Sequence, residues 1–404
     1  MDWESLHDRT LRNCVAIQGQ SDSSGVQASR SACSILVVAS FPDSLVRFRG
    51  ALLDALVARG HTVHVAAPGL SIDDPVGCVL REKGVVVHGI SMRRTGMNPV
   101  SDVISLLDLY RSCRSIRPTC VLAYTVKPVV YGLWAARLAG VPRRFALITG
   151  VGYAFAEQGG GLSLLLSAVV RHLYSNALRG ASRVFFQNPD DQRLFWDLKV
   201  LPPTVPATIV NGSGVDLTTF TVASLPSSLR FLMIARLLGS KGVREYAEAA
   251  RRVRRDHASV EFGLVGWIDE GPDAIRADEL DVWVADGTLE HLGRLEDVRS
   301  AISDCSVYVL PSYREGTPRT VLEAMAMGRP IITTDAPGCR ETVEEGENGF
   351  LVGVQSIDDL EQAMRKFITD PELASRLGAR SRQIAEDRYD VRKVNAAMLE
   401  GMGL

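Results

Sequence analysis

Two carboxylates eight positions apart carry the strongest chemical signal in this chain. Glu315 follows a short β-branched and aromatic run, residues 307–310, which predicts a buried strand. Glu323 lies among otherwise apolar residues, where a carboxylate is costly unless a partner satisfies it. Between the two acids, Thr317 and Pro318 predict a helix start, with Thr317 as the N-cap and Pro318 as the first helical residue.

A helix start between two acids suits a ligand that carries both phosphates and hydroxyl groups. The free N–H groups and positive dipole end favour a phosphate, and the flanking carboxylates accept hydrogen bonds from hydroxyls. This stretch therefore predicts a nucleotide-sugar site. For an isolated pair of acids at this spacing, an exposed helix acid and an ordinary loop acid would be the commoner explanation. The predicted donor contacts here are Glu323, Gly316, Thr317, Pro318, Arg319, Thr320 and Val321.

The longer pattern changes the balance between these interpretations. Residues 307–352 closely resemble the nucleotide-binding signature of family 4 retaining glycosyltransferases, which have the GT-B fold. The matching residues are Pro311 and Ser312, Glu315 and Gly316, residues 322–326, residues 328–332, and Glu341 to Val352. The resemblance implies two Rossmann-like, doubly wound parallel-sheet domains that face each other across a cleft.

Two cations lie upstream, after a predicted strand at 229–235 and before a predicted helix at 242–255. Arg236 and Lys241 at these positions suit a diphosphate, although a surface pair is the alternative. Their spacing matches the Arg and Lys of the family, which hold the leaving nucleoside diphosphate. With Glu315, they are the predicted catalytic residues. Further predicted donor contacts are Gly266, at a strand end, and Arg294, in a segment that resembles the one whose backbone holds the base.

The first half of the chain alternates strands and helices, which predicts another doubly wound α/β sheet. Its first post-strand loop has no G-x-G-x-x-G, so an NAD enzyme is disfavoured, and it also lacks the glycines that many family members carry there. The loops 124–128 and 149–153 resemble segments of bacterial family 4 enzymes that build polyprenyl-diphosphate-linked glycans. This resemblance implies acceptor contacts at Lys127, Gly150 and Gly152, with a surface lysine as the alternative for Lys127.

Charge divides the chain of 404 residues into unlike halves. Residues 1–205 carry 22 Lys/Arg and 15 Asp/Glu, whereas residues 206–404 carry 23 and 32. The basic half predicts reversible docking on an anionic membrane or contact with a phosphate-bearing substrate, and a solvated basic face is the alternative. The expected organisation begins with a mobile polar leader at 1–32 and an acceptor-binding domain at 33–205, with a proline-rich linker at 199–208. A nucleotide-sugar domain at 206–385 follows, and a helix at 386–404 is expected to cross back to the first domain.

Several classes are disfavoured by the sequence. Neither Cys-x-x-Cys nor another metal-ligand spacing is present, and the acidic pair Asp190 and Asp191 is interpreted as a cap or exposed acids, so metal-independent activity is expected. No cofactor is expected, because the nucleotide-sugar is a substrate, and no nucleic acid is expected as a partner. No signal peptide or membrane span is predicted, which favours a cytoplasmic protein. The resemblance of the first domain implies a peripheral position on the inner face of the plasma membrane.

The resulting hypothesis is a retaining hexosyltransferase. It would move a UDP-linked hexose or N-acetylhexosamine to a hydroxyl of a polyprenyl-diphosphate-linked saccharide. Two alternatives stay open: another GT-B enzyme, such as a non-hydrolysing epimerase or a phosphorylase, and a non-catalytic GT-B scaffold. The set Arg236, Lys241, Glu315 and Glu323 disfavours the scaffold.

Overall fold

This computed structural model of the protein describes residues 32–93, 98–151, 161–269 and 271–404. The predicted leader lies outside the described residues, except for its last residue. The predicted acceptor residue Gly152 also lies outside them.

The first domain is built on seven parallel strands in the order β3-β2-β1-β4-β5-β6-β7. The strands are β1 Ser34–Val38, β2 Thr62–Pro68, β3 Val86–Ile90, β4 Cys120–Tyr124, β5 Arg143–Ile148, β6 Arg183–Phe186 and β7 Ala207–Ile209. The central strands are continuous apolar runs because both faces of the sheet are covered. In the register, Val37 of β1 lies opposite Val65 on one side and Leu122 on the other.

Helices cover both faces of this sheet and form two separate hydrophobic cores with it. They are α1 Asp43–Arg47, α2 Gly50–Ala58, α3 Pro75–Glu82, α4 Pro99–Ile116, α5 Leu133–Leu138, α6 Gly161–Leu178 and α7 Pro189–Asp197. A π-helical turn, Pro128–Gly132, leads into α5.

The second domain has six parallel strands in the order β10-β9-β8-β11-β12-β13. The strands are β8 Arg230–Ile234, β9 Glu261–Val265, β10 Glu290–His291, β11 Val307–Leu310, β12 Ile331–Thr334 and β13 Gly349–Val352. The helices are α8 Val243–Asp256, α9 Ala277–Ala285, α10 Arg299–Ser303, α11 Arg319–Ala326, α12 Ile357–Thr369, α13 Leu373–Ile384 and α14 Val391–Met402. The predicted α/β class with two doubly wound parallel sheets is confirmed.

Each sheet has one point at which the strand order reverses. In the first sheet it lies between β1 and β4, and in the second between β8 and β11. In open parallel sheets, ligands bind beyond the carboxyl ends of the strands at this reversal. The segments after these four strands are therefore where a site is expected.

The chain passes between the domains twice. Around residue 215, the N–H of Val215 donates to the oxygen of Tyr389 at 2.8 Å, and the N–H of Val391 donates back to Val215 at 3.0 Å. The first passage comes after β7, so the linker expected at 199–208 is wrong in part. Residues 207–209 pair with β6 because three extended residues there complete the sheet edge.

The last helix, α14, packs on the first domain. Met398 and Met402 are buried in the core that contains Phe185. The guanidinium of Arg59 donates to the backbone oxygen of Leu404 at 2.9 Å. No helix among the described residues is long and apolar enough to cross a membrane.

Candidate active site

A cavity of about 380 Å³ lies where the two strand-order reversals face each other. Ser44 and Thr125, which follow β1 and β4, line its first-domain wall. Arg236 and Glu315, which follow β8 and β11, line the opposite wall. The sequence-predicted catalytic residues therefore lie together in the cleft between the domains.

Cations outnumber carboxylates in the lining of this cavity. Among the described residues it includes four cations, Arg49, Arg236, Lys241 and Arg319, and a single carboxylate, Glu315. Three of these cations also pair with a carboxylate, Arg236 with Asp269, Lys241 with Glu315 and Arg319 with Glu323. The remaining excess of positive charge in low-dielectric walls favours an anion. The cleft is therefore suited to a polyanionic ligand.

Lys241 and Glu315 form an ion pair inside the cleft. The ammonium of Lys241 donates to Oε1 of Glu315, and both side chains are largely buried. Lys241 ends a short 3₁₀ turn, and Gly242, the N-cap of α8, follows with a φ of +75°. A Cβ at Gly242 would lie 2.2 Å from the oxygen of Pro311, so glycine lets this turn approach the post-β11 loop closely.

Arg236 lies at the junction of two cavities. Its Nη1 donates to a carboxylate oxygen of Asp269 at 2.5 Å, and its side chain is partly exposed. It lines the cavity described above and also a second cavity, of about 600 Å³, that runs along the second domain. The cleft is thus continuous past the guanidinium of Arg236.

Helix α11 begins one residue later than predicted. Pro318 occupies the cap position with an extended ψ of 110°, and the first helical residue is Arg319. The expectation that Thr317 is the N-cap is wrong, because its hydroxyl donates instead to the backbone oxygen of Gln187 in the first domain at 3.0 Å. No acceptor is found among the described residues for the N–H groups of Arg319 and Thr320 at the cavity wall. A helix start with free N–H groups is an anion site.

Glu323 is buried and paired within its own helix. Nε of Arg319 donates to its carboxylate at 2.7 Å, one helical turn away. Burial raises the pKa of Glu323, and the neighbouring Arg319 opposes that rise. Glu323 lines the second cavity, whereas Glu315 lines the first, so the two carboxylates serve opposite ends of the cleft.

Gly266 forms the floor of the second cavity at the end of β9. Its φ is +156°, and a Cβ there would lie 1.9 Å from the backbone oxygen of Ala235. Its N–H donates to the oxygen of Gly293 at 2.9 Å. The segment after β9 is therefore held close to the segments after β8 and β10.

Arg294 and Trp267 form a flat wall of the same cavity. The guanidinium of Arg294 lies over the indole ring, 4.8 Å from its centroid, in a cation–π contact. Both residues line the cavity with Glu323. A planar aromatic surface near a carboxylate suits a nucleoside, because the base can stack on the aromatic surface while the ribose hydroxyls donate to the carboxylate. The sequence prediction missed Trp267.

Gly316 lies where the two domains touch. A Cβ at this position would lie 2.2 Å from the backbone oxygen of Thr149, and the side chain of Asn188 donates to its oxygen at 2.8 Å. Gly150, a predicted acceptor residue, has a φ of +139°, and its Cβ position lies 3.9 Å from the nitrogen of Gly316. These glycines bring the loop after β5 and the loop after β11 together.

The acids Asp190 and Asp191 belong to the interdomain contact. The expectation of caps or exposed acids is wrong for Asp191, which is fully buried because Arg314 of the second domain pairs with it. Asn188 is the N-cap of α7 and accepts from the N–H of Asp191 at 2.7 Å. Asp190 pairs with Arg340 at 2.5 Å.

Two predicted contact residues are placed away from the cleft. Val321 is buried in the second-domain core, and its N–H donates to the oxygen of Pro318 at 3.1 Å, so the structure gives no support to a donor contact by its side chain. Lys127 pairs with Asp102 at 2.8 Å in a separate, mostly apolar cavity beside α4 and α6. Its predicted acceptor contact would therefore involve a different surface from that of Glu315.

On the first-domain wall of the cleft, the sequence prediction missed Arg49, and it singled out the loop 124–128 without naming Tyr124 and Thr125 as contacts. Their positions after β1 and at the end of β4, on either side of the strand-order reversal, were the available signal. Within the described ranges, no group of three or more His, Cys, Asp or Glu side chains is arranged to hold a metal ion.

The arrangement of two doubly wound domains around a cleft has known counterparts. The structure of HepE from Anabaena, solved in complex with UDP, matches with a TM-score of 0.73 at 19% identity, over 92% of this chain and 100% of the other. This similarity establishes the GT-B fold class.

Family models and curated relatives agree on the type of activity. Residues 46–212 match the glycosyl transferase 4-like domain, and residues 228–370 match glycosyl transferases group 1. The chain is therefore a glycosyltransferase with the GT-B fold.

Two bacterial relatives align over most of the chain. The first is the N,N'-diacetylbacillosaminyl-diphospho-undecaprenol alpha-1,3-N-acetylgalactosaminyltransferase of Campylobacter jejuni, 28% identical over 85% of this chain and 91% of the relative. The second is the UDP-Gal:alpha-D-GlcNAc-diphosphoundecaprenol alpha-1,3-galactosyltransferase of Escherichia coli, 28% identical over 68% of this chain and 72% of the relative.

Proposed function

We propose that this protein is a family 4 retaining glycosyltransferase that moves a sugar from a UDP-sugar to a hydroxyl of a polyprenyl-diphosphate-linked saccharide. The observation that carries the proposal is the cationic cleft, with the Lys241–Glu315 pair beside the free N–H groups at the start of α11. The names of the two bacterial relatives, which both act on undecaprenyl-diphosphate-linked sugars, support the acceptor class.

In this proposal the donor spans both cavities. The base rests on the Trp267–Arg294 surface, and Glu323 accepts hydrogen bonds from the ribose hydroxyls. These three side chains line the same cavity, so one nucleoside can reach them all. The diphosphate meets Arg236, Lys241 and the start of α11. Glu315 accepts hydrogen bonds from hydroxyls of the transferred sugar.

The chemical step follows from the charges in the cleft. As the bond between the anomeric carbon and the phosphate oxygen breaks, negative charge grows on the diphosphate, and Arg236 and Lys241 stabilise it. The acceptor oxygen attacks the same face of the sugar, and its proton passes to the departing phosphate oxygen. Retention follows without a covalent intermediate, since Glu315, the carboxylate of the cavity, is committed to Lys241 and the sugar.

We also propose that the reaction does not require a divalent cation. Arg236, Lys241 and Arg319, each of which also pairs with a carboxylate, place positive charge where a metal would neutralise a diphosphate. Turnover by enzyme treated with EDTA should match that of untreated enzyme. A loss of turnover that Mg²⁺ or Mn²⁺ restores would refute this part.

The proposed setting is the inner face of the plasma membrane, with reversible peripheral binding. Four side chains of α4 are exposed although they are large and apolar: Val100, Val103, Ile104 and Leu107. The exposed cations Arg111 and Arg114 lie further along the same helix. An apolar surface with nearby cations suits the interface of an anionic bilayer.

A nucleotide-sugar panel tests the function. The purified protein is incubated with UDP-, GDP- and ADP-linked sugars, with and without a short polyprenyl-diphosphate saccharide, and free nucleotide and glycolipid are measured. The proposal predicts acceptor-dependent release of UDP and a longer glycolipid. An epimerised donor, phosphorolysis, or no turnover with any donor would contradict it.

A further inference from the structure

Arg49 is a buried cation for which the described part of the chain provides no counter-ion. It directly precedes α2, is 3% exposed, and lines the cleft cavity. Among the described residues no carboxylate pairs with it, and its Nε is buried without a hydrogen-bond partner. An isolated buried charge is strongly unfavourable unless something compensates it.

The other cations of the cavity contrast with Arg49. Arg236 pairs with Asp269, Lys241 with Glu315, and Arg319 with Glu323. Burial lowers the pKa of Arg49 to about 10, and the charge of Arg319 contributes to this, so Arg49 is still charged at pH 7. Within the residues that the structure describes, Arg49 is thus the one cation of this cavity that no carboxylate neutralises.

The neighbours of Arg49 also have unsatisfied features. Its guanidinium lies 5.3 Å from the centre of the Tyr124 ring, which is fixed by a 2.7 Å hydrogen bond between Tyr124 and Ser44. Thr125 has a φ of +69°, rare for a β-branched residue, and its Oγ1 is buried without a partner. Strained backbone and unpaired polar atoms that line one cavity mark a position shaped for a ligand.

We propose that Arg49 and Thr125, on the platform of Tyr124, form an anion subsite that binds a phosphate group of the acceptor. This inference rests on the proposed function, in which the acceptor carries a diphosphate. The acceptor is favoured over the donor because all three residues belong to the first domain and line only the first cavity. The donor-side cations Arg236 and Arg319 line both cavities.

The inference is tested first by binding, without turnover. Inorganic pyrophosphate is titrated calorimetrically into protein saturated with UDP, so that the donor site is filled. Wild type should bind pyrophosphate, and Arg49→Met should bind it about tenfold to a hundredfold more weakly, the range expected for a lost charge-assisted hydrogen bond. Thr125→Val should weaken binding less, and Arg193→Met, an exposed change on the same domain, should not alter it.

Stability distinguishes a binding role from a structural one. Removal of an unpaired buried charge should leave Tm unchanged or raise it, so Arg49→Met should be at least as stable as wild type while it loses pyrophosphate. Arg49→Gln serves as a second variant in the same binding and stability measurements. Equal pyrophosphate binding by Arg49→Met and wild type, no binding by UDP-saturated wild type, or a matching loss of UDP affinity would each overturn the inference.

A kinetic comparison separates this inference from the proposed function. Arg49→Met should raise the KM for a lipid-diphosphate acceptor and leave unchanged the kcat/KM for a saccharide acceptor that lacks phosphate. If wild type transfers sugar and Arg49→Met keeps its acceptor KM, only the subsite is refuted. If wild type transfers nothing, the proposed function fails, and the pyrophosphate titration alone decides the inference.

Discussion

The ammonium of Lys241 donates a hydrogen bond to the carboxylate of Glu315 and joins the turn before α8 to the loop after β11. These two segments follow β8 and β11, which flank the strand-order reversal of the second sheet. In the proposed reaction, a diphosphate bound by Lys241 would therefore also lie near Glu315, and the sugar attached to it would reach the carboxylate. One ion pair thus defines where the reacting bond should lie.

Lys241→Met should lower kcat by about 10²–10³, the usual loss for one electrostatic stabiliser of a transition state. Its cation faces charge that grows during bond breakage, so its contribution is larger in the transition state than in the ground state. Steady-state kinetics with saturating acceptor measure the effect. The control is Arg255→Met, an exposed cation change on the adjacent helix α8. A folded Lys241→Met enzyme with normal kcat would place the diphosphate elsewhere.

Glu323→Ala should mainly raise the donor KM and leave kcat close to the wild-type value. The ribose hydroxyls that it is proposed to bind do not change during reaction, so its contact is equally strong in ground and transition states. The measurement is the pair of kinetic constants for the donor. A fall in kcat with an unchanged donor KM would reverse the assignment.

Glu323 also gives a prediction for the pH dependence of stability. Because burial raises its pKa in the folded state, the folded protein holds this proton more tightly than the unfolded chain. The wild-type protein therefore loses stability as pH rises from the ordinary carboxyl range through the raised value. Glutamine does not titrate, so the Tm of Glu323→Gln minus that of wild type should become more positive between pH 4 and pH 7. A difference that becomes more negative would mean that Arg319 outweighs burial.

Gly266→Ala should disturb the nucleoside end of the cleft. The added Cβ would lie 1.9 Å from the oxygen of Ala235, and the backbone φ of +156° disfavours any side chain. We expect a lower Tm and a UDP affinity reduced about tenfold or more. Gly271→Ala is the matched control, because a Cβ there meets nothing within 4 Å. Equal behaviour of the two variants in thermal unfolding and UDP titration would contradict the close approach.

Val103→Glu should weaken binding to anionic liposomes, because it places a charge on the exposed apolar face of α4. Co-sedimentation with phosphatidylglycerol vesicles measures the effect, and binding of wild type should fall with salt, since exposed charges are screened over about 10 Å at 0.1 M. The control is Val282→Glu on α9, because Val103 and Val282 are both 55% exposed. A similar loss in both variants, or none in either, would exclude α4 as the membrane contact.

Local patterns predicted the elements around the site well. The run 307–310 gave the bounds of β11, because a β-branched and aromatic run before a turn signal depends on neighbouring residues alone. Arg236, Lys241 and Glu315 could be placed together for a related reason. Each follows a strand next to the reversal of strand order, where parallel sheets bring post-strand residues together.

Contacts between the domains could not be predicted in this way. Thr317 is a residue type that favours the N-cap position, yet its hydroxyl donates a hydrogen bond to the backbone oxygen of Gln187, 130 residues away in sequence. Asp191 lies in the first turn of its helix, where acids are usually exposed, yet it is fully buried and pairs with Arg314. In the sequence, Arg49 resembles an ordinary surface cation, whereas in the fold it is buried. In each case the deciding partner is distant in sequence, so no periodicity or spacing records it.

The stereochemistry of transfer is the most direct test of the central claim. The reaction of the preferred α-linked UDP-sugar with a polyprenyl-diphosphate saccharide is followed by ¹H NMR, and the coupling constant of the new anomeric proton is measured as UDP appears. The account predicts an α-linked product formed in step with UDP release. A β-linked product would contradict retention by same-face attack in the Lys241–Glu315 cleft.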